Sequence, residues 1–66
     1  MNVIFRIVPH GVAAIGFNDE ALDLDAPCDL VGLSDRDGTE EELDRKSFDT
    51  GHEASRYLCE LAKRVQ

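Results

Sequence analysis

Three sets of side chains in this 66-residue chain have types and spacings that could do chemistry. The first is His10, His52, Cys28 and Cys59, the soft ligands of a zinc site or the two halves of a Cys–His nucleophilic pair. Zinc ligands usually come in short paired spacings, and these four are scattered along the chain. His10 suits a turn, and His52 suits the second position of a helix, where an imidazole needs no special role. Cys59 beside Leu58 reads as a small core or boundary residue. The second set is Asp35, Asp37 and Gly38, which sit like positions three, five and six of a calcium loop. That register puts Leu33 at the first ligand position and Asp44 at the last, where the bidentate Glu is missing. No phosphate-cradling glycine loop or nucleophile elbow is present. The expectation is a protein without metal or cofactor, and not an enzyme.

The third set dominates. Residues 19–44 hold Asp19, Glu20, Asp23, Asp25, Asp29, Asp35, Asp37, Glu40, Glu41, Glu42 and Asp44, with Arg36 the only cation. This stretch carries −10 of a chain whose net charge is −7, the flanks being +1 and +2. Self-repulsion at that density works against compactness, so a basic partner is the simplest reason for it. The plainer reading is an acidic surface that is merely solvated. Direct binding to nucleic acid or to an anionic membrane is not expected, since both need Lys and Arg. Without Trp, and with one Tyr, a stacking platform for bases is not expected either.

The elements that would carry these acids read as a single small α+β domain over residues 1–66. Val3, Phe5 and Ile7 alternate with Ile4, Arg6 and Val8, the period of a strand, and Pro9-His10-Gly11 offers a turn. Residues 12–17 then read as the returning strand of an N-terminal hairpin. Leu22 and Leu24 alternate with Asp23 and Asp25, as in a half-buried strand or an extended loop pinned by two leucines. Residues 29–34 look like a short third strand, with Leu30, Val31 and Leu33 as core candidates, and 34–38 like a turn. Thr39 with Glu42 matches a capping box, predicting a short helix through about Phe48. Thr50 with Glu53 repeats it before a C-terminal amphipathic helix carrying Ala54, Leu58, Leu61 and Val65. That helix should pack on the small antiparallel sheet.

Arg6 and Pro9 interrupt the initial apolar run before a signal-peptide core could form, so a cytoplasmic protein with reduced cysteines is expected. No stretch is long enough for a membrane span. The exposed edge of a small sheet leaves both a monomer and a homodimer open.

Asp23 and Asp25, if extended, would stand about 6.6–6.8 Å apart. Glu40 and Asp44, if helical, would have Cβ atoms about 5–6 Å apart. Both spacings are of the order of the separation between neighbouring phosphates. By its size and its acidic run over residues 19–44, the chain resembles the small acidic anti-CRISPR proteins of phages and mobile elements, a class without a shared motif. The resemblance implies a stoichiometric inhibitor that mimics DNA and blocks DNA binding by a CRISPR effector complex, with a type I (Cascade) effector of subtype I-C as the expected target. The cations Arg45, Lys46, Arg56, Lys63 and Arg64 polarise the charge, so only one face could act as the mimic. The competing expectation is a non-catalytic interaction module, antitoxin-like or regulatory, whose acidity serves only solubility.

Overall fold

The computed structural model describes residues 2–65, apart from the side chains of Asp19 and Val65. Strands β1 (Asn2–Pro9), β2 (Cys28–Arg36) and β3 (Thr39–Phe48) precede helix α1 (Gly51–Val65), and a 3-10 turn occupies Asp19–Ala21. The strands form one antiparallel sheet in the order β1-β2-β3. The α+β class is as expected, with a three-stranded antiparallel sheet packed against a C-terminal helix.

β2 is the central strand, and from Cys28 to Ser34 it is buried without a break. A strand covered on both faces needs apolar side chains on both, which is why Leu30, Val31 and Leu33 do not alternate cleanly with polar residues. Partners across a ladder share a face, so the registers sort the sheet into two sides. On one side Val8, Val31 and Leu33 pack with Ala14 and Phe17 of the long 10–27 connection. On the other, Phe5 meets Leu58, Leu61 and Ala62 of α1, and Phe48 stacks on Tyr57 with ring centroids 5.4 Å apart. The Phe5 ring also covers its cross-strand partner Gly32, whose added Cβ would lie 3.4 Å from Phe5 Cε1.

α1 begins as expected. Thr50 Oγ1 accepts the Glu53 N–H at 3.2 Å, the first half of a capping box. The carbonyl of Leu24 accepts both Gly51 N–H (2.8 Å) and His52 N–H (3.3 Å), satisfying two more amides of the first turn. This contact is so close that a Cβ on Gly51 would fall 2.9 Å from Leu24 Cα. Lys63 and Arg64 lie in the last turn, where cations suit the helix dipole.

Two expectations are corrected and one open alternative is decided. Residues 12–17 are not a strand, because the backbone bends at Gly16 (φ 82°) and folds across the sheet instead of along it. The partner of β1 is β2, which pairs with it over all eight residues of the strand. Of the two readings for Leu22 and Leu24, the loop holds: both lie in the irregular connection between the 3-10 turn and β2. Residues 39–48 form β3 rather than a short helix. Asp37 (φ 54°) and Gly38 (φ 80°) make a two-residue turn between the paired Arg36 and Thr39. Positive φ at both central positions is the type I′ geometry that sends a strand straight back along its neighbour. Pairing with the apolar β2 then overrides the helical preference of the glutamates.

Candidate functional site: an acidic hairpin braced by a buried carboxylate

The hairpin of β2 and β3 is held by one acid that the surface does not show. Asp29 is only 1% exposed. Arg45 Nη1 donates to its Oδ2 at 2.6 Å, and the Gly11 N–H donates to the same oxygen at 3.2 Å. His10 Nδ1 lies 2.9 Å from Oδ1. Arg45 Nη2 reaches on to Glu42 Oε1 at 2.7 Å and to the Val12 carbonyl at 2.9 Å. Burial alone would raise the pKa of Asp29, but the bonds from His10, Arg45, Gly11 and Ser47 hold its carboxyl well below the usual range. The bonds to Glu42 and Asp29 in turn push the Arg45 guanidinium up. The network thus ties β2, β3 and the 10–17 segment into one unit.

Arg45 reaches this side of the sheet because of a β-bulge. Gly32 pairs with Asp44 and Leu33 with Glu42, so Leu43 is the extra residue. In an unbroken strand, residues 42 and 45 would face opposite ways. The bulge brings them to the same face, where they form an ion pair.

The eleven candidate acids do not form a single row. Asp29 is withdrawn into the interior and cannot meet a partner while the fold is intact. Glu20, Asp23 and Asp25 lie in the turns of the 10–27 connection, near the start of α1. Asp23 and Asp25 are not extended: Asp23 Oδ1 accepts the Asp25 N–H at 3.0 Å, closing a local turn. Asp25 Oδ1 sits 2.9 Å from His52 Nε2 on α1. The Asp19 side chain lies outside the described residues. The remaining six, Asp35, Asp37, Glu40, Glu41, Glu42 and Asp44, cluster at the far end of the hairpin. Measured from the Cys28 end of β2, these six begin at Asp44, opposite Gly32 four strand steps or about 13 Å along, and run to the turn beyond Arg36.

Within the hairpin the acids use both faces. Glu40 and Asp35 are cross-strand partners on the side of the Asp29 network, together with Glu42. Glu41 and Asp44 pair with Ser34 and Gly32 on the helix side. Glu40 and Asp44 therefore point to opposite sides rather than sharing a helical face. Arg6 Nη2 approaches Glu40 to 3.8 Å, and Asp44 Oδ1 accepts the Arg45 backbone N–H at 2.9 Å. Beyond the reach of α1, a shallow hollow of ≈ 350 Å³ opens at the tip, lined by Ser34, Arg36, Asp37, Thr39, Glu41 and Leu43.

The histidines and cysteines take structural positions. Ser47 Oγ lies 3.5 Å from His10 Nδ1, the nitrogen that Asp29 already engages. A serine–histidine–aspartate relay needs the hydroxyl on the other ring nitrogen, so this cluster holds a loop in place and does not activate a nucleophile. Cys28 is buried, with its thiol directed to the carbonyls of Asp23 and Ala26. Burial, with Asp23 and Asp29 nearby, pushes that thiol up. Cys59 is exposed on α1, and both cysteines are free. Among the described residues no three His, Cys, Asp or Glu side chains gather as metal ligands. No described helix is long and apolar enough to cross a membrane.

His10 and Arg45 are the two participants that composition and spacing overlook. The available signal was Asp29 itself, an acid at the head of an apolar run that reads as a buried strand. A carboxylate in such a place requires a cation and donors from elsewhere in the chain.

Comparison of the chain with protein-family models, curated proteins and solved structures returned no match.

Proposed function

We propose that this chain is a non-catalytic binding protein whose acidic hairpin tip docks into a basic groove of a nucleic-acid-handling protein, excluding DNA as a stoichiometric mimic. The observation that carries this reading is the concentration of Asp35, Asp37, Glu40, Glu41, Glu42 and Asp44 on one hairpin end, with Arg36 the only cation in that stretch. The type I′ turn and the Asp29–Arg45 bond keep this end ordered before any partner arrives, which lowers the entropic cost of docking. Glu40 and Glu42, on one face and two strand steps apart, repeat at about 6.8 Å, close to two phosphate intervals of ~3.4 Å along a DNA strand. The hollow beside Glu41 and Asp37 is of a kind that admits a Lys or Arg side chain. By the class resemblance, the receiving groove is the target-DNA channel of a Cascade-type CRISPR effector in the bacterial cytoplasm.

The test is binding to such an effector with and without competing duplex DNA, using the native chain and a Glu40→Lys/Glu41→Lys/Asp44→Lys variant. The native chain should compete with DNA, bind more weakly as salt rises, and lose binding in the variant with its fold unchanged. Binding indifferent to salt, DNA and charge reversal would remove the mimic.

A second reading is an interaction module, antitoxin-like or regulatory, in which the acids only keep the chain dispersed. The observation favouring it is the exposed apolar run of Val3, Ile4 and Phe5. Under that reading the triple charge reversal leaves binding intact.

A further inference from the structure

The two edges of the sheet are built in opposite ways. β3 carries Glu40, Glu41, Glu42 and Asp44 and a bulge at Leu43, all devices that deter another strand from adding to an edge. β1 has none of them. It is eight residues long and pairs with β2 without a register shift. Val3, Ile4 and Phe5 are 48%, 41% and 48% exposed. Its one charge, Arg6, is turned back over the sheet, with Nη1 donating to the Ala14 carbonyl at 2.8 Å and Nη2 directed to Glu40. Next to this edge, Leu58, Leu61 and Ala62 of α1 form an apolar hollow of ≈ 220 Å³ with Phe5.

We propose that β1 pairs with β1 of a second copy, antiparallel about a twofold axis, to give a continuous six-stranded sheet with both helices on one face. Charge selects the second copy as occupant. Two chains of −7 repel wherever their acids meet, and residues 2–18 are the long stretch that contains no acid at all. A twofold contact brings the same patch together from both sides, so an edge that is apolar in its middle is its own complement. Residues 2–8 provide a pairing length typical of natural strands, and Pro9, which has no N–H to donate, marks its end. The hollow beside Phe5 is then closed by the helix and Val3 of the partner copy. A chain of this size also belongs to the range in which association commonly supplies stability that a small core lacks. The pairing is independent of the hairpin's role, and it leaves both acidic β3 edges at the outer margins.

Sedimentation equilibrium of the native chain over a concentration series, at low salt and at about 0.5 M sodium chloride, tests the pairing. The expected result is a reversible dimer that is as tight or tighter at high salt, because screening relieves the repulsion between the two chains. Val3→Lys, which places a like charge in both halves of the contact, should raise the dissociation constant by about tenfold or more. Native amide exchange supplies the reading that does not depend on a variant folding: the outward N–H groups of β1 should gain protection as concentration rises. A monomer at every concentration overturns the proposal. So does a dimer that survives Val3→Lys while β1 exchanges freely, because its contact lies elsewhere. A monomer that instead captures an added extended apolar peptide along β1 assigns the edge to a foreign strand and also overturns self-pairing.

Discussion

Arg45 Nη1 and Asp29 Oδ2 stand 2.6 Å apart, joining the outer strand of the hairpin to the buried middle of the sheet. Everything the hairpin can present to a partner depends on this bond, because β3 contributes almost no apolar side chain of its own. Leu43 is 51% exposed, and Phe48, at the strand's end, is half-buried.

Replacing Arg45 with Ala leaves the Asp29 carboxylate in the interior without its cation, a change that typically costs about 3–5 kcal/mol. Chains of this length seldom have more than about that much stability in total. Arg45→Ala should therefore be largely unfolded at 25 °C by circular dichroism and urea titration. Asp29→Val combined with Arg45→Met should recover much of the loss, since it is the unpaired charge, not the absent bond, that is costly.

The same carboxylate sets an acid limit. Its pKa is depressed in the folded state, so its contribution to stability is complete above the unfolded value near ~3.9 and is lost as pH falls through the folded value. The difference in melting temperature between the native chain and Asp29→Asn should be flat from neutrality down to about pH 5 and shrink below about pH 4. A difference that grows as pH falls would mean that Asp29 is not held as a carboxylate.

At Gly38 the hairpin turn can be tested without touching a binding side chain. Gly38→Ala puts a Cβ where φ is 80°, which costs roughly 1–2 kcal/mol. Asp37→Asn suits the same turn and should leave the melting temperature within about a degree or raise it. If the tip serves the partner through its shape, Gly38→Ala should also weaken binding more than its loss of stability explains.

Gly51→Ala opposes the usual rule for helices. Alanine is favoured over glycine by about 1 kcal/mol inside a helix, but here the new methyl would meet Leu24 Cα at 2.9 Å and Cys28 Sγ at 3.0 Å. Overpacking of this kind costs about 1–3 kcal/mol, and the contact is with backbone that cannot swing away. The variant should melt lower than the native chain and show faster amide exchange at His52, where the Leu24 carbonyl would be displaced.

In β1, β2 and α1 sequence and structure agree. β1 shows its alternation in Val3, Phe5 and Ile7, β2 its apolar run, and α1 its cap at Thr50 and the stripe of Ala54, Leu58 and Leu61. β3 is illegible by that measure, because a strand of Thr, Glu, Asp, Arg and Lys at a sheet edge has no apolar face to show. Its local chemistry, a Thr followed by three Glu, imitates a helix start. Only the Asp37-Gly38 pair indicates the hairpin. The acidic site was legible as a composition but not as a surface. Which carboxylates are inside, which end of the sheet they occupy and which face they use all follow from long-range pairing, to which a count of charges is blind.

The extra residue at Leu43 has a consequence for how this hairpin can change. Half-exposed and amid charges, Leu43 is the residue that the ladder skips, so Glu42 and Asp44 occupy successive pairing positions. Deleting it would restore plain alternation along the strand and leave Arg45 opposite Val31, its guanidinium still on the side of Asp29. Asp29 would then keep its cation, although the hairpin had lost a residue. Substitution of Leu43 and its removal should both preserve the Asp29–Arg45 bond, so this is the one place where the hairpin can change its length without turning Arg45 away.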